Sequence, residues 1–258
     1  MTTSFYLNTR SEFLKLRHTS AFWLTLLAAG FIPAINAIIC IEKATDMIPK
    51  FRSTPWVTFL RYNWKNTAAV ILPFYVILLI NLVLQLEFRN MTWKQVYTSP
   101  RKYADIFFSK IVIVQILTIS FLILFNLFMI TSAYTINAFQ NEYSFSHKTI
   151  PWHLMLQLSI RIYTGILGVM AIQYWMSVRF RNFVIPLGAG LGLWMAGLVL
   201  MEWDQIIYYP YMYSTLLFFT DFTKHPDQLP KLIFNSLTCF VLVLLLGFWN
   251  IYQQKERG

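Results

Sequence analysis

Residues 87–110 read EFRNMTWKQVYTSPRKYADIFFSK, a charged island between two long apolar runs. Thr92 to Tyr97 can make one or two helical turns before Ser99-Pro100 stops the chain and restarts it, because Ser caps helix N-termini and Pro suits the first helical position. The restarted helix carries Arg101 and Asp105 at i,i+4 and runs through Phe107 and Phe108 into the next apolar segment. A force on this island would therefore reach a membrane span. The predicted fold follows: apolar helices that hold a polar loop at a bilayer surface.

Composition supports that placement. Hydrophobic residues make up 57% of the 258-residue chain and charged residues 12%, with a mean hydropathy of +0.52. Soluble domains carry about a quarter charged residues, so the chain reads as an all-α integral membrane protein with one membrane domain over 1–258. Spans of roughly 20 residues are expected at about 20–41, 67–86, 111–134, 154–177, 184–201 and 231–252, six in all. Residues 2–20 lack the apolar core of a cleavable signal peptide, and the first apolar run is too long for one. Cys40 and Cys239 fall in predicted spans and read as ordinary apolar packing.

The connections have their own character. Residues 3–19 form a weakly amphipathic helix with Tyr6, Phe13 and Leu16 on one face, suited to lying along the membrane surface. Pro33 is expected to kink the first span. Residues 42–66 interleave polar residues with Phe51, Trp56, Phe59, Tyr62 and Trp64, the pattern of an interfacial helix with its rings among lipid headgroups. Spans four and five form a tight hairpin around RFRNF. Residues 201–231, MEWDQIIYYPYMYSTLLFFTDFTKHPDQLPK, are too aromatic for a plain loop and too interrupted to span, so a re-entrant or interfacial outer element is expected.

Orientation follows from the cations. With six spans both termini share a side, and that side then holds twelve of the 21 Lys and Arg residues, against eight opposite and Arg161 within span four. The positive-inside rule places both termini in the cytoplasm of a cell's inner membrane. The net charge of +10 fits anionic headgroups and an acidic partner surface and calls for no nucleic acid.

Catalytic patterns are missing from the sequence. There is no GxxxxGK[ST] to cradle ATP phosphates, no HExxH and no GxSxG, and His18, His147, His153 and His225 are scattered at span borders. No catalytic, cofactor or metal residues are assigned, and in-span carboxylate pairs for a proton relay are lacking. Arg161 has two readings: contact with an anionic cargo or lipid head, or a snorkelling or carbonyl-paired side chain near the outer interface. In span five, GAGLGLWMAG places Gly188, Gly192 and Ala196 at four-residue spacing, which lets helices approach closely within the monomer or between subunits. In-span polar residues, chiefly Asn36, Asn81, Gln85, Gln115, Asn126, Gln157, Gln173 and Asn235, are too sparse for a hydrated ion path and better suit a lipid-like cargo.

Several of these features together resemble the membrane subunits of type-2 ABC transporters. They are the N-terminal helix with its Glu-x-x-Lys pattern (SEFLKL, residues 11–16), six spans, the charged loop after span two and the interrupted outer element before span six. The closest look is to bacterial permeases of lantibiotic-immunity and related peptide exporters, although here Arg101 follows Pro100 directly. The resemblance implies an ABC-2 type permease with no ATPase motif of its own. A dimer of separate ABC-type ATPase subunits would hold ATP and Mg, and a second permease copy, identical or homologous, would complete a pathway for an amphipathic peptide or lipid-like cargo. ATPase coupling would fall to Glu87, Thr92, Trp93, Lys94, Val96, Tyr97 and Arg101, with Lys110 in the same transmission element. Tyr208, Tyr209 and Tyr211, with Arg161, are the possible cargo or lipid contacts. A membrane scaffold or sensor without transport activity has the same hydropathy; a retained nucleotide-binding partner separates the two.

Overall fold

The computed structural model describes residues 9–11, 13–14, 19–89, 103–180 and 182–256. Among these the structure is helical, with no strands. Of the expected interface helix 3–19, residues 9–11 and 13–14 are helical, with Phe13 and Leu14 exposed, and Thr19 is the extended residue before the next helix; the rest lies outside the described residues.

Helix α1 spans Ser20–Glu42 and continues through Pro33. Two helices follow, α2 (Ala44–Phe51) and α3 (Pro55–Asn66), the latter starting on a proline at its first position. One wide π turn, Thr67–Ile71, carries α3 into α4 (Leu72–Arg89). Helix α5 runs unbroken over Tyr103–Phe139, so Asp105, Phe107 and Phe108 do continue into the third span. At 37 residues it is about 55 Å long, well beyond a hydrocarbon core of about 30 Å. Two 3-10 turns, Asn141–Tyr143 and Phe145–His147, connect it to α6 (Trp152–Arg179). Then come α7 (Val184–Val199), two further 3-10 turns, the short α8 (Tyr213–Phe219) and α9 (Gln228–Glu256).

Five of the described helices are long and apolar enough to cross a membrane: Ser20–Glu42, Pro55–Leu84, Ala104–Phe139, Trp152–Arg179 and Gln228–Asn250. The expected fifth span, 184–201, is a helix of 16 residues, about 24 Å and thus short of the core thickness.

Helix α4 is the centre of the bundle, packed against α1, α5, α6 and α7. Its run LPFYVILLINLVL is apolar round the helix apart from Asn81, and Leu72, Tyr75, Ile77, Leu79 and Ile80 are all buried. Helix α1 lies along α5, and α9 along α6. The sparse polar side chains tie helices together. Asn36 donates to Asn63 (3.1 Å), Ser177 to Asn81 (3.1 Å), Asn126 to Ser159 (3.0 Å) and Tyr163 to Gln115 (2.7 Å). Gln173 and Asn235 donate to the carbonyls of Pro186 and Ile207. Away from water such bonds hold apolar helices in register, where hydrophobicity alone does not discriminate between faces.

Two expectations are corrected. Of the aromatic residues of 42–66, Phe51, Trp56, Phe59 and Trp64 are buried in protein and not among headgroups, while Tyr62 is exposed. Phe51, Trp56 and Phe59 pack with Tyr143 or Phe145, and Trp64 with Phe125 (4.7 Å): Phe145 stands edge-on to Trp56 and Phe59 at 5.2 and 5.5 Å. The Trp56 indole N–H donates to the carbonyls of Phe145 and Lys148, and the Tyr143 hydroxyl to that of Cys40 (2.6 Å). Phe51, Trp56 and Phe59 are buried because the connection 140–151 folds back over them, a long-range contact invisible in local pattern. Second, Gly188 and Gly192 pack no helix within the monomer: a Cβ added at either meets nothing within 4 Å. The close approaches are at Gly190, against Gln173, and Gly197, against Met212 and Tyr209, on the opposite face of α7.

Candidate functional site

The π turn Thr67–Ile71 is built from the small run Thr-Ala-Ala before Val70, which leaves its backbone open to neighbours. Widening a helical turn displaces carbonyls from the i→i−4 ladder and frees them for outside donors. Here the Trp194 indole of α7 donates to the Ala69 carbonyl (3.1 Å). The Ser214 and Thr215 hydroxyls of α8 converge on the Ala68 carbonyl at 3.3 and 3.5 Å. The irregular turn thus holds both the short helix α7 and α8 against the central helix.

Helix α6 completes the dock. Gly165 leaves the space into which the Ser214 backbone and Leu217 press, and Gly168 faces Tyr213 and Pro210. These glycines were not singled out in the sequence, because the partner they accommodate lies about 50 residues away.

Beside this dock opens a cavity of about 840 Å³. Arg61, Tyr62 and Lys65 of α3, Arg161 of α6 and Thr220 to Thr223 beyond α8 line it, together with apolar walls that include Leu60, Leu154, Leu158 and Phe218. Arg161 is half-buried, with its guanidinium carbon 5.4 Å from the centre of the Phe222 ring, a cation–π arrangement. Asp221 is the one carboxylate in the lining. Its Oδ1 accepts from the Thr223 hydroxyl (2.6 Å) and N–H (3.1 Å), while Lys224 lies 3.9 Å from Oδ2. The hydroxyl bond, before the other contacts, holds this carboxyl below the usual carboxylate range, so it stays charged at neutral pH. Three cations and one engaged carboxylate give the cavity an excess of positive charge.

The tyrosines between α7 and α8 differ in exposure. Tyr208 is 66% exposed. Tyr209 is half-buried and its hydroxyl donates to the Leu193 carbonyl (2.7 Å). Tyr211 is 1% exposed, with its hydroxyl 3.4 Å from Gln173 Oε1. The structure does not bring Tyr208 and Arg161 together: Arg161 lines the cavity and Tyr208 does not.

At the other end of the bundle, Glu87 lies in the last turn of α4. Thr92, Trp93, Lys94, Val96, Tyr97 and Arg101 lie outside the described residues. Lys110 is 5% exposed in α5, not on a loop surface. The base of α5 is tied to two more helices. The Phe107 ring stands edge-on to Tyr174 of α6 (5.0 Å) and Phe248 of α9 (5.5 Å), and the Tyr174 hydroxyl donates to the Phe107 carbonyl (2.7 Å). No group of three or more His, Cys, Asp or Glu residues that could hold a metal occurs among the described residues.

Comparison with known protein families matches residues 9–197 to the model of the ABC-2 family transporter protein. No curated protein and no solved structure matches the chain.

Proposed function

Because the chain belongs to the ABC-2 family of transporter proteins, and so is a membrane permease, we propose that it serves an ATP-driven exporter of an amphipathic cargo, peptide or lipid-like. ATP and Mg are held by a dimer of separate ATPase subunits, and a second permease copy encloses the pathway. The family match carries this reading, and the packing supports a route for the stroke. Residues 90–102 join the central helix α4 to α5 in sequence, and Phe107 links α5 to α6 and α9. An ATPase pulling on residues 90–102 would therefore move four helices, whose outer ends bear the cavity and the outer element.

In this reading Trp93 and Tyr97, at i,i+4 with Val96 beside them, present one face to a groove on the ATPase. Aromatic interface centres commonly account for about 2 kcal/mol or more each on truncation, and a rim charge for roughly 0 to 1 kcal/mol. In a detergent pull-down, Trp93→Ala is expected to lose the ATPase and its ATP turnover while Lys94→Ala keeps both. A chain that retains no nucleotide-binding subunit would instead be a scaffold or sensor. Full retention by Trp93→Ala would mean that this ring sits in headgroups, an environment the detergent assay removes.

Both termini are cytoplasmic in a bacterial inner membrane, and α7 is a short sixth crossing over which the bilayer thins. Cysteines at Ser99 and Gly258 should then be protected from impermeant thiol reagents in intact cells, and cysteines at Ser53 and Asp221 labelled. Labelling at Gly258 with protection at Ser99 would show that α7 does not cross. Labelling at Ser99 would invert the topology.

A further inference from the structure

We propose that the cavity between α3, α6 and the segment after α8 binds the phosphate end of an anionic amphiphile, with Arg61, Lys65 and Arg161 on the phosphate and the hydrocarbon along Leu60, Leu154, Leu158 and Phe218. The inference rests on the membrane setting and not on ATP-driven transport, since it holds for a resident lipid and for a carried one.

Three observations converge on it. Arg61 and Lys65 sit at i,i+4 and so share a face of α3, where like charges repel each other and an anion between them relieves the repulsion. Arg161 supplies a planar guanidinium, suited to two phosphate oxygens at once, and the Phe222 ring holds it at the cavity wall. Among the described residues, no carboxylate oxygen lies within 4.0 Å of any of these three cations, and the one acid in the lining is committed to Thr223 and Lys224. A cation inside a membrane helix ordinarily has a named partner, and this cavity has room for one: its volume of about 840 Å³ falls within the range of about 300–1,000 Å³ typical of ligand pockets.

The test uses the purified full-length chain in neutral detergent, with native mass spectrometry reading bound ligand during titration. Phosphatidylglycerol is expected to bind at least about tenfold more tightly than phosphatidylcholine, whose choline cancels the charge, and inorganic phosphate far more weakly than either. Arg161→Gln and the double variant Arg61→Gln/Lys65→Gln should each lose about tenfold in phosphatidylglycerol affinity. Lys43→Gln/Lys50→Gln, on exposed cations outside the cavity, should lose nothing. Arg61 and Lys65 are exposed, so their variant decides the matter even if Arg161→Gln does not fold. Equal binding by wild type and that double variant would overturn the proposal. Inorganic phosphate binding as tightly as the lipid would also overturn it, since the apolar walls would then contribute nothing.

Discussion

Phe145→Ala is expected to destabilise the protein by about 3–5 kcal/mol, the usual cost of emptying a buried phenylalanine site. Phe145 is fully buried, and its ring touches Phe51, Trp56, Phe59 and Tyr143. Those neighbours come from α2, α3 and the connection before α6. Their backbones are fixed by helices and by the Trp56 bonds to the carbonyls of Phe145 and Lys148, so they can collapse little into the space. Phe139→Ala, six residues earlier and exposed, removes the same atoms from a surface and should cost under about 1 kcal/mol. Thermal unfolding in detergent, followed by near-ultraviolet circular dichroism of the aromatic cluster, reads both. A similar melting shift for the two variants would mean that the ring cluster is not a packed core.

Gly165→Leu should destabilise by about 3 kcal/mol or more, at or above the upper range for overpacking. A Cβ alone at this position lies 2.8 Å from Ser214 Cα and N, which are backbone, and from the Leu217 side chain. A larger side chain cannot be accommodated by a rotamer change, so α8 has to leave α6 and surrender its bonds to the Ala68 carbonyl. Gly188→Leu is the contrasting variant. It faces open space and replaces a poor helix former, which favours the helix by up to about 1 kcal/mol. Limited proteolysis between Leu200 and Gln228 should therefore accelerate in Gly165→Leu and stay unchanged in Gly188→Leu. Equal protection in both would show that α8 does not depend on this approach. A loss of assembly in Gly188→Leu with its own fold intact would place that face between subunits.

Membrane placement and helical class were determined by the sequence alone. A run such as LPFYVILLINLVL has one low-energy solution in a bilayer, a hydrogen-bonded helix, because backbone groups in hydrocarbon find no water. The unbroken run of α5 was likewise legible: from Ala104 to Phe139 nothing breaks a helix, and no proline or glycine occurs there. The resemblance to ABC-2 type permeases agrees with the family match over residues 9–197, which includes SEFLKL and the charged stretch 87–110 but not the outer element at 201–231.

Only the tertiary structure decided which helix is central, where the aromatic rings of 42–66 go, and which glycines matter. Every span is apolar enough to face lipid, so hydropathy carries no information about which one is enclosed; α4 is central because α1, α5, α6 and α7 meet on it. Trp56 and Phe59 have the same spacing whether they face headgroups or Phe145. Arg61, Lys65 and Arg161 were visible as scattered cations, two in a loop and one in a span, and their convergence depends on α3 continuing through a π turn into α4 and on α8 folding back against Gly165. Contacts between residues about 100 positions apart have no local signature, because each partner's spacing satisfies its own helix whatever it later meets.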